Sequence, residues 1–346
     1  MRAVHAIAAV ILSAGSSACL GGVSKSELPD EPIAFTYRTP EEARRRAEDM
    51  IDAQERGHAS GPRTSRPGYN DMHATTDGLT DYLSRLVGRE QGESEKYQGR
   101  LALLDARTDA VTLIEAARRG SIPLAWSADH ERLLFAQPGH LDFQLYEYDR
   151  AKETVRPVTH APPAHTQGCY AGDGRIVVVS VDTRTNPPQS RLALSERGGR
   201  RPFRKLTEGP ADHSPACSPD GETLVFVREL APGRSEIRAQ RLDESESRRL
   251  SPGQHPAFSQ DGKWVVFAAP YQRELRIWRI RSDGTGRAPI GRGVRHEARP
   301  AISPDGRVVA YVAAEDPPRR HLYLRRFDGS GDRILFADGD GEYPVW

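Results

Sequence analysis

Four histidines, His165, His213, His255 and His296, stand 8, 7, 6 and 9 residues before an aspartate that opens a turn. Neutral imidazoles gathered at one place are good ligands for a transition metal. A site of that kind needs matched geometry, and the unequal spacings argue against a ring of equivalent ligands. The residues therefore read as polar wall, with no bound metal or cofactor, and remain the candidates should a metal bind. Other chemistry has no carrier. The sequence holds no H-E-x-x-H, no C-x-x-C and no G-x-S-x-G, which are the signatures of zinc peptidases, metal or redox cysteine pairs and hydrolase elbows.

The elements around the histidines repeat. "HSPACSPDGETLVFV" begins at His213, "HPAFSQDGKWVVFAA" at His255 and "ARPAISPDGRVVAYVAA" at Ala298, with weaker copies from Pro123 and Gly168. In each, a Pro-Asp-Gly type turn precedes a short β-branched and aromatic run, too short for a helix. The turn aspartates Asp129, Asp173, Asp220, Asp261 and Asp305 are 44, 47, 41 and 44 residues apart. A period in the forties with short strands in each unit predicts a propeller. Runs such as Asp142–Tyr148 and Glu274–Ile280, polar turns such as Ser282-Asp283-Gly284, and outer runs such as Phe203–Thr207 supply strands three and four of an antiparallel blade.

The two ends of the chain complement each other. "EYPVW" (Glu342–Trp346) matches the opening of a repeat, and Trp346 lies 41 residues after Asp305. Asp77-Gly78 supplies the turn that should follow. Leu79–Val87, Tyr97–Asp105 and Ala110–Ile114 then supply strands two to four. The expected fold is all-β: six four-stranded blades, closed by pairing the C-terminal strand with N-terminal ones, which removes free sheet edges. Cys169 and Cys217 fall in first strands of neighbouring units, offset by one place relative to their turn aspartates. That offset predicts side chains pointing differently and two separate buried thiols, with a disulfide as the alternative in an oxidising compartment.

Pro215 with Ser218-Pro219-Asp220-Gly221, Pro256 with Phe258 and Asp261-Gly262, and Pro300 with Ser303-Pro304-Asp305-Gly306 resemble the WD40-like "PD40" repeat of TolB-type six-bladed propellers. The likeness covers residues 75–346. The Gly-His and Trp-Asp pairs of eukaryotic WD40 repeats are missing. The N-terminal α/β domain of TolB has no counterpart, because only residues 19–74 precede the first expected blade. Related propellers also precede hydrolase domains in prolyl-oligopeptidase-like peptidases, but that reading needs the missing G-x-S-x-G. Metal-dependent pectin-fragment lyases are a further use of the architecture.

The N-terminus reads as a targeting segment. Arg2 forms a short positive region, Ala3–Ala14 an apolar stretch of signal length, and Ser16-Ser17-Ala18 a small-residue cleavage site before Cys19. Residues 1–18 are thus expected to be removed. Cys19 resembles the acylated cysteine of a bacterial lipobox, with Ser16 in place of the usual leucine. Leu20 is not an aspartate, which favours the outer membrane in a Gram-negative cell. Residues 19–74 are expected to form a tether. A helix over about residues 40–56, capped by Thr39 with Pro40 and Glu42 in its first turn, leads to a flexible linker at Gly57–Asp71.

Net charge is +1, both signs are interspersed, and no basic stripe marks a nucleic-acid partner. The resemblance implies a non-catalytic propeller of the cell envelope, periplasmic or on the outer membrane, that binds a protein. That protein would be a peptidoglycan-associated lipoprotein or another member of an envelope complex. The alternative is a metal-dependent enzyme or binding protein that handles a glycan in the central channel.

Overall fold

The computed structural model describes residues 22–46, 48, 99–139, 143–160, 163–182, 184–185, 188–196, 200–231, 233–272, 274–291, 296–314, 320–335 and 339–346. Among these residues, twenty-four strands form six antiparallel sheets of four. β1 (Ile33–Arg38), β2 (Arg100–Asp105) and β3 (Ala110–Leu113) come first. Blade 1 holds β4 (Ile122–Trp126), β5 (Arg132–Pro138), β6 (Phe143–Asp149) and β7 (Thr154–Pro157). Blade 2 holds β8 (Ala164–Tyr170), β9 (Ile176–Asp182), β10 (Gln189–Glu196) and β11 (Arg200–Lys205). Blade 3 holds β12 (Asp212–Cys217), β13 (Thr223–Ala231), β14 (Arg234–Arg241) and β15 (Ser247–Pro252). Blade 4 holds β16 (Gln254–Phe258), β17 (Trp264–Tyr271), β18 (Glu274–Arg281) and β19 (Ala288–Pro289). Blade 5 holds β20 (His296–Ile302), β21 (Val308–Ala314), β22 (His321–Arg326) and β23 (Asp332–Ile334). The last strand, β24 (Asp340–Val345), joins β1 to complete a closing blade in the order β24-β1-β2-β3. Six blades are what the repeat predicts. Among the described residues no helix is long and apolar enough to cross a membrane.

The blades adhere through six apolar clusters, each drawn mainly from two neighbouring sheets. This explains the continuous apolar run of every second strand. In β13, Leu224 and Phe226 pack toward blade 2, while Val225 packs toward blade 4. Alternate side chains of a strand point to opposite faces, and here both faces are buried.

The closing blade corrects one expectation. Its second strand is β1, not Leu79–Val87, which lies outside the described residues together with Asp77. The position demands burial on both faces. Ile33, Ala34 and Phe35 are fully buried and meet that demand, whereas Leu79–Val87 carries Asp81 and Arg85. The propeller therefore begins well before residue 75. Val23 and Leu28 sit in the cluster between blade 5 and the closing blade. Arg326 binds Glu27 through two hydrogen bonds and the Gly22 carbonyl through a third. The helix does start at Pro40. Its capping box is formed, with Thr39 N donating to Glu42 Oε2 at 2.9 Å and Glu42 N donating to Thr39 Oγ1 at 3.3 Å.

Charge and an aromatic lock the closure. Glu342 accepts from Arg38 of β1 at 2.7 Å and from Arg320 of blade 5 at 2.7 Å. Arg46, on the helix, lies 3.7 Å from Asp340. Burial alone would raise the Glu342 carboxyl, but the charges of Arg38, Arg320 and Arg46 outweigh it and hold the group well below its ordinary range. Trp346 is buried in the cluster between blade 5 and the closing blade, and its indole N–H donates to the Glu31 carbonyl at 2.9 Å.

Two outcomes follow. Trp346→Ala should cost about 3 kcal/mol, as large-to-small core changes do, and lower the melting temperature clearly. An unchanged melt would show that the indole does not join the blades. Because the folded Glu342 pKa is depressed, its contribution is present above the ordinary glutamate range. It is lost as pH falls through that range toward the folded value. Melting temperature should fall with acid in the wild type, with a shallower acid slope in Glu342→Gln; equal slopes would remove Glu342 from the lock.

Candidate functional site

The first strands line the central channel, and those of blades 1 to 5 end in a turn. In four blades the turn is a side-chain relay. Ser218 Oγ donates to Asp220 Oδ1, which also accepts from Glu222 N at 2.9 Å, and Ser218 Oγ accepts from Thr223 N at 2.9 Å. The same pattern holds at Ser127/Asp129, Ser259/Asp261 and Ser303/Asp305. Hydrogen bonding from Ser218 and the Glu222 amide keeps the Asp220 carboxyl below its usual range, so it stays ionised. The serines are as necessary as the aspartates, a role hidden in sequence because hydroxyl partners are not visible there. Gly221 follows with φ +69, and a Cβ there would collide with the Gly172 backbone of blade 2. Asp173 differs. It has φ +62, Ala171 replaces the serine, and the turn is one residue shorter.

Within the first strands the backbone is strained at one level. Ser214, His255, Arg299 and Tyr343 all adopt left-handed φ, between 49° and 57°, each directly before a proline. A residue before proline ordinarily avoids helical regions, and non-glycine residues in this region cost energy. Each strand shifts register at this level, the mark of a bulge that re-aims a side chain. Together with Gln167 of β8, which accepts from Ser214 N at 2.6 Å, these residues form a polar ring around the channel.

The ring floors a cavity of about 550 Å³ that opens toward the turns. Its wall mixes polar side chains with apolar ones such as Leu124, Ala257, Phe258 and Val345, and Asp129 and Asp173 stand at the rim. The volume falls in the range typical of ligand pockets.

The four candidate histidines part company here. His213 and His255 line the cavity, while His165 and His296 do not. His165 is fully buried, with Nδ1 3.2 Å from Gln144 Oε1 and its ring edge-on to Phe203. His296 sits three residues below Arg299 and pairs with Ala314. Among the described residues no cluster of three or more histidine, cysteine or acidic side chains is placed to hold a metal.

A serine–histidine contact does occur: His213 Nδ1 lies 3.0 Å from Ser214 Oγ. It lacks the properties of a catalytic pair. Burial depresses His213 to about 4, far below the range useful to a general base near neutrality. The adjacent Asp212 does not orient the ring, since both its oxygens are held by Arg228 at 2.7 and 2.8 Å.

Cys169 and Cys217 form a disulfide, with Cα atoms 5.7 Å apart, where two thiols were expected. The offset by one place is the cause. Equivalent positions in successive blades point the same way around the ring and cannot meet. A shift of one turns a side chain to the opposite face, so Cys169 of blade 2 faces Cys217 of blade 3 across their shared cluster.

These features define a six-bladed β-propeller with a cavity at one end of its channel. More narrowly, the fold is that of the TolB-like propellers. TolB from Acinetobacter baumannii superimposes with a TM-score of 0.64 at 15% identity, covering 92% of this chain and 67% of that one. A protein described as TolB in Agrobacterium tumefaciens gives 0.60 at 20% identity, covering 71% and 91%. An uncharacterized protein of Agrobacterium fabrum is 25% identical over 238 residues, 64% of this chain and 79% of its own. No protein-family profile matches the chain. At these identities the likeness to the solved structures is one of fold.

The bridge closes a long loop, with its cysteines 48 residues apart in sequence. Reduction, or Cys169→Ser with Cys217→Ser, should therefore lower stability by about 2–4 kcal/mol. Thiol titration of unfolded, unreduced protein should find neither cysteine free. Two free thiols there would disprove the bridge.

Proposed function

We propose that this protein is a non-catalytic propeller of the bacterial cell envelope, tethered by lipid at Cys19, that docks a protein partner at the turn end of its channel. The cavity is the observation that carries the reading. It is preformed, lined by apolar and polar side chains together and ringed by strained polar residues, which is the make-up of a binding site. The depressed His213 and the occupied Asp212 favour binding over catalysis. The fold shared with TolB supports an envelope role by analogy. A disulfide suits an exported chain better than a cytoplasmic one, which agrees with the signal-like residues 1–18 and the cleavage-compatible Ala18-Cys19.

The anchor would be close. Two residues separate Cys19 from Gly22, whose carbonyl already binds Arg326, and the three steps between them reach about 10 Å at most. Cys19→Ser should abolish labelling with a radioactive fatty acid and move the protein from the membrane fraction to the soluble one. An unlabelled wild type would refute the anchor. Co-purification from detergent-solubilised envelopes tests the partner. The wild type should retain a protein that is lost when Ser214 and His255, on the cavity floor, are both replaced by alanine in a chain that still folds. A partner retained by that variant would place docking elsewhere.

A further inference from the structure

The described arginines near the channel are matched by carboxylates, with one exception. Arg228 pairs with Asp212, and Arg38 and Arg320 with Glu342. Arg132, which also lines the cavity, lies 3.8 Å from Glu147. Arg299 has no acidic partner among the described residues. Its guanidinium instead lies over the Tyr343 ring, 3.9 Å from the centroid. Stacking holds the guanidinium plane and leaves its edge donors available, which is how arginine is set to receive a planar carboxylate.

The surroundings reinforce that choice. Arg299 and Tyr343 are both in the strained ring, so two left-handed residues are spent on bringing this pair to the floor. The prolines at 215, 256, 300 and 344 lack N–H groups, so the backbone at this level offers few donors to an anion. His213 Nε2 is buried without a partner. The rim carries both signs: Asp129, kept ionised chiefly by the Ser127 hydroxyl, and Asp173, with Arg132 on the same lining. A segment with its negative charge at the tip would meet Arg299 last, on the floor.

We propose that the cavity receives the C-terminal end of a peptide chain, whose free carboxylate binds the Arg299 guanidinium stacked on Tyr343. The proposal rests on reading the channel mouth as a docking face, and it adds what the partner presents there. A short apolar stretch of chain can lie against Leu124, Ala257, Phe258 and Val345 on the wall while its end meets the polar floor.

The test uses the folded protein and three probes: acetyl-tetra-alanine with a free carboxylate, the same peptide as its C-terminal amide, and trigalacturonate. Binding is followed by histidine ring NMR, with calorimetry as a second measure. In the free protein burial, with Arg299, His213 and Arg320 adding, holds His255 well below its ordinary range. A carboxylate on Arg299 should raise the His255 pKa. The free acid should bind saturably, at least tenfold more tightly than the amide. Arg299→Gln should erase that difference, and should raise His255 even without ligand, while Arg299→Lys should restore part of the preference. Melting curves confirm that each variant is folded. Equal binding of acid and amide, binding unaffected by Arg299→Gln, binding of trigalacturonate alone, or binding of none of the three would overturn the proposal. An envelope partner that still co-purifies with Arg299→Gln would sink the carboxylate contact and leave the docking face standing.

Discussion

Everything in this molecule depends on the pairing of β1 with β24. Each blade buries its two faces against its neighbours, so the two end faces stay uncovered until the ring is complete. The pairing carries more than backbone hydrogen bonds. Glu342 gathers guanidinium groups from β1 and blade 5, and Trp346, just beyond the end of the same strand, fills the seam with blade 5. A buried carboxylate is costly unless its attractions exceed its desolvation. Two direct hydrogen bonds and a third arginine nearby meet that condition. The same strand places Tyr343 between these two fasteners, so closing the ring also sets one wall of the cavity.

That coupling explains why the strain lies where it does. Ser214, His255, Arg299 and Tyr343 take an unfavourable backbone conformation at one level of the channel. Most of the structure below that level is neutralised: Asp212, Glu297 and Glu342 all have arginine partners. Above it the wall combines apolar side chains such as Leu124, Ala257 and Val345 with polar ones at the turns. The strained ring is the boundary between a level where the acidic side chains are paired with arginines and a surface that still has unmet hydrogen-bonding capacity.

Much of the fold was legible because it repeats. A local signal such as Ser218-Pro219-Asp220-Gly221 gains force when it returns at a steady period, and the apolar runs after it report burial on both faces. The closing blade was only partly legible. Asp77-Gly78 has the right local chemistry, yet nothing local says which distant segment will pair with the last strand. Ile33–Phe35 meets the packing requirement, and that is a long-range fact. The cysteines show a different limit. Their offset was visible, but its meaning depends on neighbouring sheets facing one another, which a reading of single strands omits. The site was the least legible part. His165 and His213 look alike in sequence, and only the bulges decide which side chains reach the cavity. Arg299 gave no signal at all, since an arginine stands out only when its expected partner is missing.

The closure also has a consequence for the order of events in making the protein. Ala34 pairs with Val345, and β24 follows every other described strand. Joining segments some 300 residues apart costs about 3 kcal/mol more in chain entropy than closing a ten-residue hairpin, and such distant pairings form late. While the chain is still emerging, β1 has no partner on one side and blade 5 has an uncovered face. A chain of this design stays open until its last strand arrives. That delay leaves two unprotected sheet surfaces open to pairing with other chains in the meantime.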